Sequence, residues 1–199
     1  MKVLLLAAPE ENYMVASVHK SLDHKREHRP LLGILSVATY AKKFCPWIEL
    51  KFIDCRALEL DFDQMEQEIK NFGPDLVGLT ALTFNYYDTL MAARRIKKLD
   101  PAMLVVIGGW HVTLYPKETL AQDAIDYVVK GEGERTFAEL LTALHKGTDR
   151  AEIAGLGWKN DGELKLNADR PVEKELNDIP FPDFDLTDIS LYSHILGKY

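Results

Sequence analysis

The sequence predicts an α/β fold built on a parallel sheet with helices on its faces. Short apolar runs, typical of strands that are buried on both sides, alternate with segments of helical periodicity. A chain of 199 residues with 47% hydrophobic composition is long enough to bury the core of one such domain and to carry a small appendage. The alternation therefore indicates strand–helix–strand units.

Five apolar runs are strand candidates. They lie at residues 3–8, 49–54, 76–80, 103–107 and 126–129. Helical patterns occur between and after them, at residues 31–44, 61–72, 85–99, 116–122 and 132–145. Strands joined in this way predict a flavodoxin-like (Rossmann-like) five-stranded parallel sheet in the order 2-1-3-4-5.

Local start and stop signals support these boundaries. Asp61 is a residue type that favours a helix start, and Asp100-Pro101 follows the third helix. Gly73-Pro74 ends the second helix, because the proline ring and its missing N–H prevent continuation. The third strand begins directly afterwards, so this connection is tight.

The first strand candidate has one feature of a secretion signal, because Lys2 precedes an apolar run. That run ends at Pro9 and two glutamates, and it is too short for a signal core or a membrane span. Cys45 and Cys55 form no C-x-x-C pair and are expected to be reduced thiols. These features predict a cytoplasmic protein.

The charge balance bears on possible partners. The formal net charge of −7 arises from 31 acidic and 24 basic residues, with no block of lysine or arginine. A surface of this kind argues against nucleic acid or an anionic membrane as the main partner.

The pattern changes in the last quarter of the chain. Residues 156–159 and 163–166, joined by Asn160-Asp161-Gly162, predict a β-hairpin, because Asp-Gly accommodates the backbone angles of a tight turn. Residues 175–185 form a proline-punctuated, extended segment typical of a linker. The sequence therefore predicts an α/β domain at residues 1–150, followed by a hairpin and linker at residues 151–199.

A polar stretch of about twenty residues separates Pro9 from Pro30 and contains His19, His24 and His28. Loops of this length in compact domains are usually functional covers or disordered. No H-E-x-x-H, H-x-H or Cys/His cluster accompanies these histidines, so no metal site built by the protein is expected.

The ends of the third and fourth strands propose a ligand site. Ligands of open parallel sheets bind where the strands end. Thr80 and Thr83 offer hydroxyls that donate and accept hydrogen bonds, and Gly108-Gly109 removes side chains that would keep a ligand off the strand end. A simple turn is the alternative explanation of the glycine pair.

The segment Gly131-Glu132-Gly133-Glu134 follows the fifth strand and opens a helix. A glycine-rich helix entry can bind a phosphate, but this one matches neither the P-loop nor the dinucleotide fingerprint. The two glutamates are also explained by the helix dipole, which favours negative charge at a helix start. Topology places this segment beside the other two strand ends.

His111 follows the glycine pair and is expected to face the same crevice. Its imidazole could hydrogen-bond a ligand, ligate a metal that the ligand carries, or serve only the structure of the loop. No nucleophile motif, paired carboxylates or triad is visible, so the sequence does not support hydrolytic catalysis by this chain alone.

Four segments, in their order and spacing, resemble the cobalamin-binding domain of B12-dependent radical SAM enzymes. They are residues 30–38, 75–80, 108–113 and 131–137. The hairpin and the segment Ile179-Pro180-Phe181-Pro182-Asp183 resemble the connector that precedes the radical SAM barrel. The resemblance covers nearly the whole chain.

This resemblance implies that cobalamin is held at the carboxyl edge of the sheet. Thr80, Leu82 and Thr83 would line its nucleotide tail, the glycine pair would let the tail pass, and Gly131 with Gly133 would flank the buried base. The full set of implied cofactor-binding residues is Ala8, Thr80, Ala81, Leu82, Thr83, Gly108, Gly109, His111, Gly131, Glu132 and Gly133.

The sequence departs from the resembled pattern in two places. Many B12-binding domains carry Asp-x-His-x-x-Gly after the first strand, and the segment at Asp23-His24 does not match it. Cobalamin is therefore expected base-off and without a lower histidine, with His111 or a histidine of the first loop as the alternative. The second departure is that no C-x-x-x-C-x-x-C occurs, so this chain is expected to be a fragment that ends before the barrel.

The intact protein would then resemble a radical SAM methyltransferase or cyclase, such as the anaerobic Mg-protoporphyrin monomethyl ester cyclases. Its barrel would carry a 4Fe-4S cluster and S-adenosylmethionine, and the fragment alone would bind without catalysing. Two alternatives remain open at this point. One is a cofactor-free docking domain that keeps the B12-binding fold, and the other is a stand-alone flavodoxin-like nucleotide-binding protein.

Overall fold

One sheet lies between two layers of helices. The computed structural model describes residues 1–12, 29–160 and 162–192. The strands are β1 (Lys2–Ala7), β2 (Glu49–Asp54), β3 (Leu76–Thr80), β4 (Leu104–Gly108), β5 (Tyr127–Val129), β6 (Leu156–Asn160) and β7 (Glu163–Leu166). The α-helices are α1 (Leu32–Phe44), α2 (Phe62–Phe72), α3 (Tyr86–Leu99), α4 (Trp110–Leu114), α5 (Pro116–Leu120) and α6 (Gly133–Lys146).

The sheet has the order β2-β1-β3-β4-β5-β6-β7. Its first five strands are parallel, which confirms the predicted α/β class and the order 2-1-3-4-5. The predicted strand count is too low, because the hairpin does not stand apart from the sheet. β6 pairs antiparallel with β5, with Leu156 opposite Val129, and β7 pairs with β6. The hairpin thus covers the edge that β5 would otherwise expose.

The core follows from the alternation of side chains along the buried strands. In β1, Leu4 and Leu6 point to the face covered by α2, α3, α4 and α5, whereas Val3 and Leu5 point to the face covered by α1 and α6. Both sets are almost inaccessible to solvent. Burial on both faces explains why the strands are continuous apolar runs in the sequence.

Four of the five predicted helix starts fall one residue before the helix in the structure. Leu31, Asp61, Asn85 and Glu132 are all N-cap positions, one residue before the helix proper. At Asp61 the carboxylate accepts from the Gln64 amide, while the Gln64 side chain accepts from the Asp61 amide. Of the four, only Asp61 caps its helix with its side chain, which is why its residue type marks the helix start in the sequence.

Helix α4 was not predicted. Residues 108–113 were expected to form a loop, but Trp110–Leu114 forms a helix that begins directly after Gly109. No side chain caps its start, and five residues are too few to show a helical period. Helix α5 is equally short, but Pro116 at its first position favours a helix start, and α4 has no such residue.

The segment after the hairpin does not extend away from the domain. Residues 176–192, here called the strap, contain three short 3₁₀ turns at Leu176–Asp178, Phe184–Leu186 and Ile189–Leu191. The Asp183 amide donates to the Thr39 hydroxyl at 2.7 Å, and the Asp183 carboxylate pairs with Lys42 at 2.8 Å. The predicted linker is therefore held against helix α1.

Several sequence expectations lie outside the described residues. These are the histidines of the first loop, His19, His24 and His28, the Asp-x-His comparison at Asp23-His24, and Asp161 of the hairpin turn. Within the described ranges, no helix is long and apolar enough to cross a membrane.

The close fit of the hairpin against the sheet leads to a stability prediction. A Cβ added at Gly157 would lie 2.7 Å from Cγ2 of Val128 and would overlap Cδ2 of Leu166. Because both neighbours must shift, we expect Gly157→Ala to lower the free energy of unfolding by about 1–3 kcal/mol, measured by urea denaturation. Gly33→Ala is the matched control, because a Cβ there meets nothing within 4 Å and the exchange should not destabilise the protein. Equal stabilities of the two variants would contradict the integration of the hairpin into the sheet.

Candidate functional site at the carboxyl edge

Hydrogen bonds join the loops that follow β3, β4 and β5. The Ala81 amide donates to the Gly108 carbonyl at 3.0 Å, and the His111 amide donates to the Ala81 carbonyl at 3.2 Å. The Gly131 amide donates to the Thr113 hydroxyl at 3.0 Å. The structure therefore brings together the three strand ends that the sequence singled out, and it does so with direct contacts between them.

Gly109 has a structural reason to be glycine. Its φ of +99° lies in the region that other residues rarely adopt, and a Cβ would lie 2.5 Å from the Ala81 carbonyl oxygen. The space that a side chain would need is thus filled by the neighbouring loop. At Gly108 a Cβ would lie 3.6 Å from the Val129 carbonyl oxygen, an ordinary contact. The glycines of the pair are therefore not equivalent.

The loop after β3 is shaped by Asn85. The side-chain oxygen of Asn85 accepts from the Leu82 amide at 2.8 Å and closes the 3₁₀ turn Thr83–Asn85. Within this loop Leu82 and Thr83 are exposed, whereas Ala81 is buried. Side-chain contacts to a ligand can therefore come from the first two, while Ala81 contributes its backbone.

His111 is held by protein groups. It is only 9% exposed, its ring stacks on Tyr86 with 3.8 Å between centroids, and its Nδ1 lies 3.3 Å from the Thr83 hydroxyl. Burial lowers the pKa of the imidazole, and the charge of Glu118 opposes this shift. The ring is therefore neutral near pH 7, and it supports the position of Thr83.

Large apolar side chains are exposed next to these loops. They belong to the segments that follow β3 and β4, and Trp110 is 73% exposed. The set, here called the apolar crown, comprises Leu82, Phe84, Tyr87, Trp110, Leu114 and Tyr115. Because these segments follow neighbouring strands of the sheet, their exposed apolar side chains are candidates for contact with a ligand. Of the crown, only Leu82 is among the site residues predicted above, because the exposure of a side chain depends on tertiary packing.

The loop after β5 and the start of α6 face the segment that precedes the strap. The Glu132 carboxylate accepts from the Glu173 amide at 3.1 Å, and Arg135 pairs with Glu173 at 2.7 Å. A cleft of about 320 Å³ lies between the start of α6 and the segment around residues 170–173. Gly131 has a φ of +69° and its Cα faces open space. Gly133 is enclosed, since a Cβ would lie 3.2 Å from Cγ2 of Val37.

The segment that follows β1 is hydrogen-bonded to the start of α3 at the same edge. Asp88, in the first turn of α3, is 1% exposed and accepts from the Asn12 amide at 3.0 Å and from its side-chain nitrogen at 2.8 Å. Ala8, the implied site residue directly after β1, is buried. The structure therefore places the end of β1 beside the loop after β3.

Neither thiol is available for chemistry at this edge. Cys45 and Cys55 are both free and buried. Burial raises the pKa of the Cys55 thiol to about 12, with a further contribution from the Asp54 charge, so the thiol is protonated near neutral pH. Among the described residues, no group of three or more histidine, cysteine or acidic side chains is placed to hold a metal ion.

A comparison with protein-family models identifies the domain. The model of the B12 binding domain matches residues 27–141, which is more than half of the chain. The match covers the segment from before α1 into α6, and it includes the strand ends after β3, β4 and β5.

Relatives of known description agree with this match. The chain is 36% identical over 193 residues to the uncharacterized methyltransferase PH0819 of Pyrococcus horikoshii, covering 96% of this chain and 40% of that protein. It is 30% identical over 154 residues to the anaerobic magnesium-protoporphyrin IX monomethyl ester cyclase of Rubrivivax gelatinosus, covering 75% of this chain and 28% of that protein. The chain thus spans less than half the length of these curated relatives.

Solved structures share the fold. The cobalamin-dependent S-adenosylmethionine radical enzyme OxsB with aqua-cobalamin bound matches 93% of this chain and 24% of its own, with a TM-score of 0.73 and 17% identity. TsrM of Kitasatospora setae, a radical S-adenosylmethionine methyltransferase, matches 84% of this chain with a TM-score of 0.65 and 23% identity. With the family match, these results confirm the resemblance found in the sequence: this chain belongs to the B12-binding domain family.

Proposed function

We propose that this chain binds cobalamin at the carboxyl edge of its sheet. The observation that carries the proposal is the apolar crown beside the hydrogen-bonded loops after β3, β4 and β5, within a domain that belongs to the B12-binding family. Cobalamin combines a broad ring, largely apolar on its faces, with polar amides and a nucleotide tail. Exposed apolar side chains next to hydroxyls and backbone groups suit such a ligand.

The residues present fit the group. The exposed hydroxyl of Thr83 and the half-buried Thr80 offer hydrogen bonds to a polar tail, and the Gly108 backbone leaves the strand end open. Gly131 and Gly133 are proposed to flank the base. The remaining proposed contacts come from Ala8, Ala81, Leu82, Gly109 and Glu132, while His111 acts through Thr83.

We place the chain within a longer radical SAM enzyme, a methyltransferase or cyclase. The relatives that carry such names are more than twice as long as the matched region. Residues 1–150 would hold the cofactor, and residues 151–199 would lead to a domain with a 4Fe-4S cluster and S-adenosylmethionine. Bound cobalamin supplies methyl-transfer or redox chemistry, whereas this chain orients and shields it. The cytoplasmic location stays a prediction.

The direct test is retention of cobalamin by the purified chain. We expect hydroxocobalamin to stay bound on desalting and to show a base-off visible spectrum. His111→Phe should keep both, because phenylalanine preserves the stack on Tyr86 and His111 is not expected to ligate cobalt. A changed spectrum in this variant would assign His111 as the lower ligand. Loss of cobalamin on desalting would favour the cofactor-free docking domain, and retention of a flavin or nucleotide instead would favour the third alternative.

The buried state of His111 also predicts a pH dependence of stability. Burial holds the pKa of His111 in the folded protein below its ordinary value of 6.5. As the pH falls through 6.5, His111 is therefore protonated in the unfolded chain before it is protonated in the folded protein. The free energy of unfolding of the wild type should therefore fall as the pH is lowered from about 7.5 to about 5.5. His111→Phe should show a smaller decrease in urea denaturation over this range. An identical pH dependence in the two proteins would contradict the buried, neutral imidazole.

Gly108 offers a sharper test of the site than Gly109. The Cβ of an alanine at position 109 would clash with the Ala81 carbonyl oxygen and distort the loops even without a ligand. A loss of affinity in that variant would therefore not locate the ligand. Gly108→Ala makes only ordinary contacts with the protein, so stability should change little while the affinity for hydroxocobalamin falls about tenfold. Gly162→Ala is the control: its φ of +82° makes the exchange destabilising, but the hairpin turn is outside the proposed site. Unaltered affinity in Gly108→Ala would refute the placement of the ligand at this strand end.

A further inference from the structure

We propose that Tyr192 is a positioning residue that couples the strap to the ligand site. The coupling passes through a polar network at the carboxyl edge, here called the edge network, formed by Asn85, Glu10, Arg56, Asp54 and Tyr192. The inference rests on the proposed function, because the ligand at the site is taken to be cobalamin. Beyond cobalamin binding, we infer that a bound ligand stabilises the docked position of the strap.

Asp54 anchors the strap end of this network. It is the last residue of β2 and is 3% exposed. One carboxylate oxygen accepts from the amides of Arg56 at 3.1 Å and Ala57 at 3.3 Å. The other accepts from the hydroxyl of Tyr192 at 3.3 Å. A carboxylate fixed by backbone donors in this way gives the strap a rigid attachment point.

Tyr192 is suited to act as the donor. It is 4% exposed, which is unusual for a side chain in a segment with so little regular structure. Burial raises the pKa of its phenol, so the hydroxyl keeps its proton and can donate to Asp54. Its oxygen also lies 3.1 Å from the Thr187 hydroxyl. The strap therefore turns back on itself at the point where it contacts β2.

Arg56 links Asp54 at the end of β2 to Glu10, which follows β1. Its Nε lies 3.4 Å from Asp54, and its terminal nitrogen lies 3.1 Å from the carboxylate of Glu10. The side chains of Arg56 and Glu10 are both mostly buried. Charges in such surroundings are screened less by salt than surface pairs, and removing one partner leaves the other uncompensated.

Asn85 joins the network to the proposed ligand site. Its side-chain oxygen is already used by the Leu82 amide at 2.8 Å, so the amide nitrogen is the atom that faces Glu10, at 3.4 Å. Leu82 belongs to both the apolar crown and the proposed tail contacts. A ligand that fixes Leu82 and Thr83 therefore also fixes Asn85, and through Glu10, Arg56 and Asp54 it favours the docked strap.

The first arm of the test measures amide hydrogen exchange in residues 186–192 of the 199-residue chain, with and without hydroxocobalamin. In the wild type, cobalamin should slow this exchange about fivefold or more. Tyr192→Phe should remove the slowing, and by reciprocity its affinity for cobalamin should fall by no more than the same factor. Tyr127→Phe, a change at another buried tyrosine, is the matched control and should keep the slowing.

The second arm needs no ligand. Asn85→Asp keeps the acceptor for the Leu82 amide but places a carboxylate oxygen opposite Glu10, so the strap should exchange faster than in the wild type. If cobalamin does not bind, the proposed function is wrong. The comparison of Asn85→Asp with the wild type still tests whether the edge network holds the strap, because it needs no ligand. The inference is overturned if Asn85→Asp leaves strap exchange unchanged, or if bound cobalamin leaves it unchanged in the wild type. Equal slowing in the wild type and in Tyr192→Phe would also overturn it.

Discussion

The carboxyl edge of this domain depends on the contact between the backbone of Gly109 and that of Ala81. β3 and β4 are parallel neighbours with Thr80 opposite Gly108, so their loops leave the sheet side by side. With no Cβ at position 109, the second loop packs onto the first and the His111 amide reaches the Ala81 carbonyl. Helix α4 then begins at once, which exposes Trp110 and turns the His111 ring towards Thr83. Packing within the protein thus creates the surface proposed for the ligand.

The hairpin and the strap pack against the rest of the domain. The hairpin pairs with β5, a strand of three residues that would otherwise be an exposed edge. The strap then crosses α1 and reaches the end of β2 through Tyr192. Residues that read as an appendage and a linker are consequently in contact with the sheet and, through the edge network, with the loop after β3. The proposed coupling between the site and the strap rests on this arrangement.

Much of the fold was predictable because its signals are local or periodic. The strands are buried on both faces, so their apolar runs stand out, and capping residues such as Asp61 mark helix starts. The strand ends at Thr80, Gly108 and Gly131 were identified for the same reason, since each follows an apolar run. The site residues named from the sequence remain predictions, although the structure gathers several of them through direct hydrogen bonds. What escaped prediction has no local signature: helix α4, the pairing of the hairpin with β5, and the exposure of Phe84, Tyr87 and Trp110.

The sequence by itself determined the layer architecture, the strand order and the family, because these follow from hydrophobic period, turn chemistry and the spacing of short motifs. Tertiary structure alone decided how the loop residues are used. It made Gly109 a packing requirement, buried His111 against Tyr86, left the apolar crown exposed and brought Tyr192 to Asp54. The physical reason is that burial and hydrogen bonding between loops depend on contacts far apart in the chain, and Asp54 and Tyr192 are separated by 138 positions.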